Sequence, residues 1–492
     1  MLVESVLNSE ELLREKTNPA LDDTQNGYSF YQNETAMHFA ARRGARSIGE
    51  ILKRYGVELF PDCPSVPSPV HLAVKEGHVD FLNFLLENLT DEHKHVLIEG
   101  ENCSRKEFDE YIKSEDSRPM DYHEVAGFNP ILLACHYKKT ETRRAMVKAL
   151  LDYGDKPRAC TLDRSPLCIA VEHDDLELAE MLLNAGANIN ETCEPGASPT
   201  SMDWHDTPIH LATSIGSEKM LKLLVSHPNS KGKINSNGVI RPIIIAIGKG
   251  DLKKVKLLLE YGDDPCCIGR SGEWSQGGIY LRGEEEKQRL EEYWSWTPLI
   301  RAADVGSSDI VNTILDYSHK WVESARTEVE KIRHQFMGKE LPPEILYRKD
   351  FFQRIVDHGT LIDYQELECN YTALHQAVYR GHYEVVDALI KSGANLNFQS
   401  KNARFDENVK KLREADTPLS LATKLYLKRV HDSEKESLPS EDSLRQIIKL
   451  LIKAGANPNI PDSFGTSVRQ YFCGETKAAK NLKKFFWGML KK

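Results

Sequence analysis

The sequence predicts an all-α solenoid of about nine helix–turn–helix repeats, with terminal caps and helical inserts. Three observations carry that expectation. Residues 370–397 hold two short apolar runs, one through Leu374, Ala377 and Val378, the other through Val385, Val386, Leu389 and Ile390. Gly381 and His382 lie between the runs, and Gly393 stands where a C-cap glycine belongs. The opening of that stretch recurs, and Ser68 stands 33 positions after Thr35 in equivalent openings. Its tail recurs too, since Gly186, Ala187, Asn188 and Asn190 match Gly393, Ala394, Asn395 and Asn397. A single helical hairpin cannot bury both of its apolar faces, so each unit requires neighbours.

At 492 residues the chain exceeds a typical single globular domain. Hydrophobic residues make up 40% and charged residues 28%, which is enough apolar material for a core and unlike a disordered polymer. The formal net charge of −10 argues against a general nucleic-acid binder, which needs clustered Lys and Arg to neutralise phosphates, and leaves room only for local basic patches. There is no basic leader and no apolar run approaching ~18 residues, so no transmembrane segment is expected and the location is expected to be cytoplasmic. The ten cysteines form no Cys-x-x-Cys pair and no zinc-type spacing with histidine. Cys135 and Cys168 fall where the repeat wants small apolar side chains, which predicts buried free thiols rather than disulfides. Asn33, Asn88, Asn190 and Asn370 each begin an Asn-x-Thr tripeptide, expected to stay unmodified without a secretory leader.

Taken in order, residues 1–34 place Val6, Leu7, Leu12 and Leu13 among charges, as an N-terminal helical cap over the first repeat would. Repeats follow at 35–89, opening at Thr35 and Ser68, and then a mixed-charge insert at 90–128. Repeats resume over 129–265, opening at Asn129, Ser165, Thr207 and Arg241. The insert 266–295 is glycine-rich and then glutamate-rich, and Thr297 opens a repeat assigned to 296–317. The insert 318–369 is expected to hold two helices, over 321–336 and 344–356, folded onto the solenoid because Trp321, Phe351 and Phe352 are costly to expose. Repeats at 370–463 open at Thr372 and Thr417, and a polar stretch around 431–442 separates the helices of the last. Residues 464–492 read as a capping repeat and a basic amphipathic helix, with Leu482, Phe485, Phe486 and Leu490 on one face and Lys477, Lys480, Lys483 and Lys484 largely opposite.

The opening motif has a physical reason at each position. Proline in the first turn fixes φ without losing a needed donor. Ala40, Ala73, Ala134, Ala170, Ala212 and Ala377 let neighbouring helices approach closely. With the 33-residue spacing and a Thr-Pro-Leu-His type of opening, most of residues 35–471 resembles the ankyrin-repeat family. That resemblance implies local hydrogen bonding of the opening threonine with His38, His210 and His375, and likewise at His71. Leu132, Cys168, Ile244, Ile300 and Ser420 replace the histidine, which predicts uneven stability from repeat to repeat. The irregular repeats with long inserts are also similar to ankyrin effectors that intracellular bacteria deliver into host cells.

No catalytic residue, metal site or cofactor site emerges from the motifs. His93 and His95 beside Asp91 and Glu92 have ligand chemistry but no second pair, and read as a solvated loop. Residues 269–278 lack the spacing of a phosphate-binding loop and read as a loop tip. Partner-binding candidates come from two places. Trp204 and His205 precede the opening at Thr207, and Tyr293 and Trp294 precede Thr297, where ankyrin arrays project hairpin fingers. Such aromatics either staple neighbouring repeats or contact a partner. Arg42, Arg43, His136, Tyr137, His173, Tyr379 and Arg380 follow the small residues of the inner helices and are expected to line a concave groove. The C-terminal helix has the composition for contact with an anionic membrane surface, using the same apolar face that capping would use.

These readings imply a noncatalytic scaffold that binds a partner protein through its concave groove and finger loops, with affinity drawn from preorganisation. The alternative is a translocated bacterial effector, secreted into the host cell, in which an insert carries an enzymatic, cysteine-dependent activity on host proteins. Cysteine and histidine side chains converging on a pocket would favour the second.

Overall fold

The first turn of each repeat decides where its helix starts. Thr372 Oγ1 accepts from the His375 N–H at 3.4 Å, and the Thr372 N–H donates back to His375 Nδ1 at 3.3 Å. Thr35 with His38 and Thr207 with His210 form the same reciprocal box. Where the histidine is replaced, the hydroxyl still takes the equivalent N–H: Ser165 from Cys168, Thr297 from Ile300 and Thr417 from Ser420. Such a cap stabilises a helix by about 1 kcal/mol. The opening at Arg241 has no hydroxyl, and there Asp263, from the tail of the same repeat, accepts the Ile243 N–H at 3.2 Å.

The structure, a computed structural model, describes residues 35–61, 67–90, 129–157, 165–190, 207–228, 241–265, 297–335, 362–364, 371–400, 416–431, 438–462, 465–473, 480, 481, 483 and 484. Among the described residues there is no strand, only an isolated bridge between Pro461 and Ser467. The chain divides into two units, one up to Asn237 and one from Gly238. In the first, the helical pairs are α1 (Ala36–Arg43) with α2 (Arg46–Arg54), α3 (Pro69–Glu76) with α4 (Val79–Glu87), α5 (Pro130–Cys135) with α6 (Thr140–Asp152), α7 (Pro166–Glu172) with α8 (Leu176–Asn184), and α9 (Pro208–Ser214) with α10 (Glu218–Ser226). In the second they are α11 (Pro242–Gly248) with α12 (Leu252–Glu260), α13 (Pro298–Val305) with α14 (Ser308–Gln335), α15 (Ala373–Arg380) with α16 (Tyr383–Lys391), and α17 (Pro418–His431) with α18 (Glu441–Lys453), followed by α19 (Val468–Phe472).

Within each unit the first helix of a pair packs on the first helix of the next, and the second on the second, giving an inner and an outer row. The inner row is close because Ala73, Ala134, Ala170, Ala212, Ala302 and Ala377 are fully buried at the contacts. The inserts leave this stacking intact: α3 packs directly on α5, and α13 directly on α15.

Repeat tails are held by asparagine. The side chains of Asn188, Asn395 and Asn457 each accept the backbone N–H two residues on, and Asn397 Oδ1 accepts the Asn457 N–H from the next repeat at 2.7 Å.

Two expectations are corrected. The helix expected over 321–336 is the continuation of α14, a single helix of 28 residues. Other outer helices stop before Gly56, Gly154, Gly262, Gly393 and Gly455, all at positive φ. Residues 308–335 contain neither glycine nor proline, and their apolar face runs on through Val322, Ala325, Val329 and Ile332. The second correction concerns sulfur. Cys135 is a buried free thiol, as expected, whereas Cys168 is disulfide-bonded. A small apolar register position says nothing about which cysteine approaches in space, so the spacing could not settle it. The N-terminal cap at 1–34, the inserts 90–128 and 266–295, the helix over 344–356 and residues 485–492 lie outside the described residues, apart from Thr90.

Glycine matters most where one repeat presses on the next. At Gly306, with φ of 86°, a Cβ would stand 2.5 Å from the His382 ring; at Gly393, with φ of 88°, it would meet nothing within 4 Å. Gly393→Ala is therefore expected to cost only the left-handed penalty of about 1 kcal/mol, and Gly306→Ala about 2–4 kcal/mol, because overpacking is added. Hydrogen exchange of the flanking helices measures both locally, which suits a repeat array that need not unfold in two states.

A second test uses pH. His375 is fully buried, and its Nε2 donates to the Asp416 carbonyl at 2.9 Å while Nδ1 takes the Thr372 N–H. Burial lowers its pKa to about 4, and that of His38 to about 4 as well. The folded pKa lies below the unfolded one, so this stability is complete above about pH 6.5 and falls as pH drops toward 4, by ~1.4 kcal/mol per pH unit per histidine. Urea denaturation across that window should show the slope reduced by one such increment in His375→Gln.

Candidate partner-binding face

The candidates on the inner helices cluster at the helices' C-terminal ends, where the chain turns to the outer row. Gly44, Gly77, Gly306 and Gly381 take left-handed conformations there. A residue of the next repeat then caps each exposed carbonyl end. His78 Nε2 donates to the Arg42 carbonyl at 2.9 Å, Tyr137 Oη to Glu76 O at 3.3 Å, His382 Nε2 to Asp304 O at 3.0 Å, and Ser443 Oγ to Gly381 O.

This geometry divides the candidates. Arg42 is half-buried and Arg43 is exposed at the end of α1. His136 is half-buried at the C-cap of α5, and Tyr137 is committed to the preceding repeat through Glu76. His173 is exposed at the C-cap of α7, and burial, then the charges of Arg143 and His136, lower its pKa. Tyr379 and Arg380 are exposed at the end of α15, with the Arg380 guanidinium 5.9 Å from the Tyr379 ring centroid. Trp204, His205, Tyr293 and Trp294 lie outside the described residues, as do His93, His95 and residues 269–278.

Family models match the chain in three places: ankyrin repeats (3 copies) at residues 102–193, ankyrin repeats (many copies) at 167–225, and a single ankyrin repeat at 369–401. The chain carries ankyrin repeats. It is 24% identical over 377 residues to the human transient receptor potential cation channel subfamily A member 1, covering 69% of this chain and 27% of that protein. It is 22% identical over 192 residues to mouse Rabankyrin-5, covering 39% of this chain and 13% of that one. The chain thus spans about a quarter or less of the length of these curated relatives. Among solved structures, the ankyrin repeat domain of Bcl-3 is similar with a TM-score of 0.39 at 19% identity, covering 66% of this chain and 98% of that chain.

The ankyrin framework carries three buried polar clusters that the sequence did not reveal. In the first unit, Arg143 donates to the carbonyls of Tyr137 and Lys138 and lies 3.6 Å from Asp175, the N-cap of α8; Arg144 pairs with both Asp175 and Glu177. In the second unit, Asp304 receives Arg301, Gln376 and Arg380. Near its C-terminal end, Lys424 bridges Asp416 at 3.0 Å and Asp462 at 2.9 Å, with Tyr471 Oη donating to Asp462 at 2.7 Å. Burial raises the Asp416 pKa. For Asp462 burial acts the same way, but bonds from Lys424, Tyr471 and the Thr466 N–H outweigh it and lower the pKa. The only advance signal for any of these was Asp175 standing where an N-cap belongs.

Among the described residues no helix is long and apolar enough to cross a membrane, and no group of three or more ligand-type side chains could hold a metal ion. Lys424→Met would leave two buried carboxylates without their cation, and is expected to destabilise α17 to α19 by about 3–5 kcal/mol at neutral pH. Hydrogen exchange over residues 416–473 reads this loss, which should shrink as the pH is lowered and Asp416 takes a proton.

Proposed function

We propose that this ankyrin-repeat chain is a noncatalytic scaffold that holds a partner protein along the concave groove that the inner-helix ends line within each unit, with Trp204, His205, Tyr293 and Trp294 as a second contact. Ankyrin repeats generally mediate protein–protein interaction, and that much is common to the family. The observation that supports the finer reading is the placement of Arg43, His173, Tyr379 and Arg380. All four are exposed at the ends of inner helices whose other residues are mostly buried. Side chains held on rigid stacked helices lose little freedom on binding, so few anchors suffice.

The enzymatic alternative draws no support from the described cysteines near the inner row. Cys135 is fully buried and its thiol is pushed well above the usual range, away from the thiolate a nucleophile requires, and Cys168 is oxidised. A cytoplasmic location is supported by the free thiols of Cys135 and Cys473 and opposed by the disulfide at Cys168.

The test is affinity capture followed by mass spectrometry with three forms of the chain. One carries Arg43→Ala, His173→Ala, Tyr379→Ala and Arg380→Ala; a second carries Arg54→Ala, Glu180→Ala, Lys256→Ala and Glu384→Ala, exposed positions of the outer row. Partners bound by the wild type should be lost with the inner set and kept with the outer set. Identical capture by all three forms would sink the groove as the recognition surface.

A further inference from the structure

In the second unit α11, α13 and α15 pack in succession, and their C-terminal ends carry Lys249, Arg301, Asp304, Tyr379 and Arg380. Asp304 organises this end of the row. Its side chain is 9% exposed; Oδ2 accepts from Arg301 Nη1 at 3.0 Å, and Oδ1 accepts from Gln376 Nε2 at 2.8 Å and Arg380 Nε at 2.5 Å. Two guanidinium groups, from Arg301 and Arg380, thus meet one carboxylate, and exposed Lys249 stands at the end of α11. Arg301 lies across the neighbouring helix because Gly248 has no side chain: a Cβ there would stand 3.0 Å from Arg301 Nη2.

Arg380 is placed differently from Arg301. Its side chain is 49% exposed, and its hydrogen bonding among the described residues is confined to Nε. The edge formed by Nη1 and Nη2 is therefore left for an incoming group, in an orientation already set by Asp304. The Tyr379 ring beside it is 37% exposed and is backed by Tyr371, with ring centroids 6.3 Å apart. A fixed fork of donors next to an exposed aromatic face has a specific complement: a carboxylate on a short apolar stem.

We propose that Tyr379 and Arg380 anchor an acidic, extended segment of a partner protein. A glutamate or aspartate carboxylate accepts from both terminal nitrogens of Arg380, and its methylene groups lie on the Tyr379 ring. This inference rests on the reading of the inner face as the partner-binding surface. A peptide carboxylate fits better than a nucleic acid, because one fork serves a single carboxylate, whereas a polyphosphate strand needs an extended row of cations on a chain whose net charge is −10.

Fluorescence anisotropy of the full chain with a fluorescein-labelled deca-glutamate peptide tests the assignment, with deca-glutamine and a deca-thymidine oligonucleotide as comparison probes. Wild type should bind deca-glutamate and not deca-glutamine. Arg380→Gln should weaken binding by about tenfold, and Arg380→Lys by about threefold, since lysine keeps the charge but lacks the fork. Lys256→Gln removes one exposed charge from the outer helix α12 and should change affinity by less than about twofold. Thermal melts show which variants keep the fold, and if Arg380→Gln does not, the charge-preserving Arg380→Lys carries the comparison. Equal weakening by Arg380→Gln and Lys256→Gln, or tighter Arg380-dependent binding of the oligonucleotide, overturns the proposal. If wild type ignores deca-glutamate while protein capture still depends on the inner set of substitutions, the carboxylate assignment fails and the groove reading stands; loss of both overturns both.

Discussion

Everything in this molecule depends on how closely one inner helix can lie against the next. The fully buried alanines set that approach, and the left-handed glycines at the helix ends let the following repeat close over them. At Gly44, Gly77 and Gly306 the neighbour is an aromatic or imidazole ring that also donates a hydrogen bond to the end of the helix. Packing and carbonyl capping are thus one contact. A Cβ would disturb both at once, which is why the constraint falls on the backbone rather than on a replaceable side chain.

Because the stacking is local, stability need not be equal along the chain. Repeats that keep the threonine–histidine box have two reciprocal bonds in the first turn. Those that lost the histidine keep one, and the opening at Arg241 draws its cap from Asp263, beyond its own second helix. The buried charge clusters appear among repeats of both kinds. Lys424 ties Asp416, at the opening of α17, to Asp462, just before α19, and the Asp416 carbonyl receives His375 from the repeat before. Breaking one partner of such a cluster costs far more than its net contribution, so these clusters enforce the order of packing more than they add to total stability.

The helical pairs were legible in the sequence because each was marked by an opening hydroxyl or proline, and six of the nine also by a glycine after the second helix, at Gly56, Gly154, Gly186, Gly262, Gly393 and Gly455. In α14 the stop signal was absent and the reading failed, so that one helix was divided into a repeat and an insert. Tertiary partners were not legible. Nothing adjacent to Asp304 in sequence points to Arg380, 76 positions on, and nothing near Cys168 shows that it meets another cysteine. The candidate face was legible only as a register. Counting along the inner helix found Tyr137 and Arg380 alike, but the Tyr137 hydroxyl is bonded to the Glu76 carbonyl, while Arg380 bonds among the described residues through Nε and leaves its side chain half exposed.

Cations at helix C-termini are ordinarily explained by the helix dipole, which contributes about 0.3–1 kcal/mol per charge. That explanation applies equally to Arg54 at the end of α2 and to Lys391 at the end of α16, so it cannot account for what is particular to Arg380. A carboxylate as enclosed as Asp304 does account for it. One guanidinium, from Arg301, already lies against that carboxylate, and the second is drawn in through Nε alone. Immobilising an arginine costs up to ~2 kcal/mol of side-chain entropy, a cost that Asp304 has met before any partner arrives. A partner carboxylate therefore meets an arginine whose orientation is already fixed, and its binding retains free energy that a flexible surface arginine would lose on ordering.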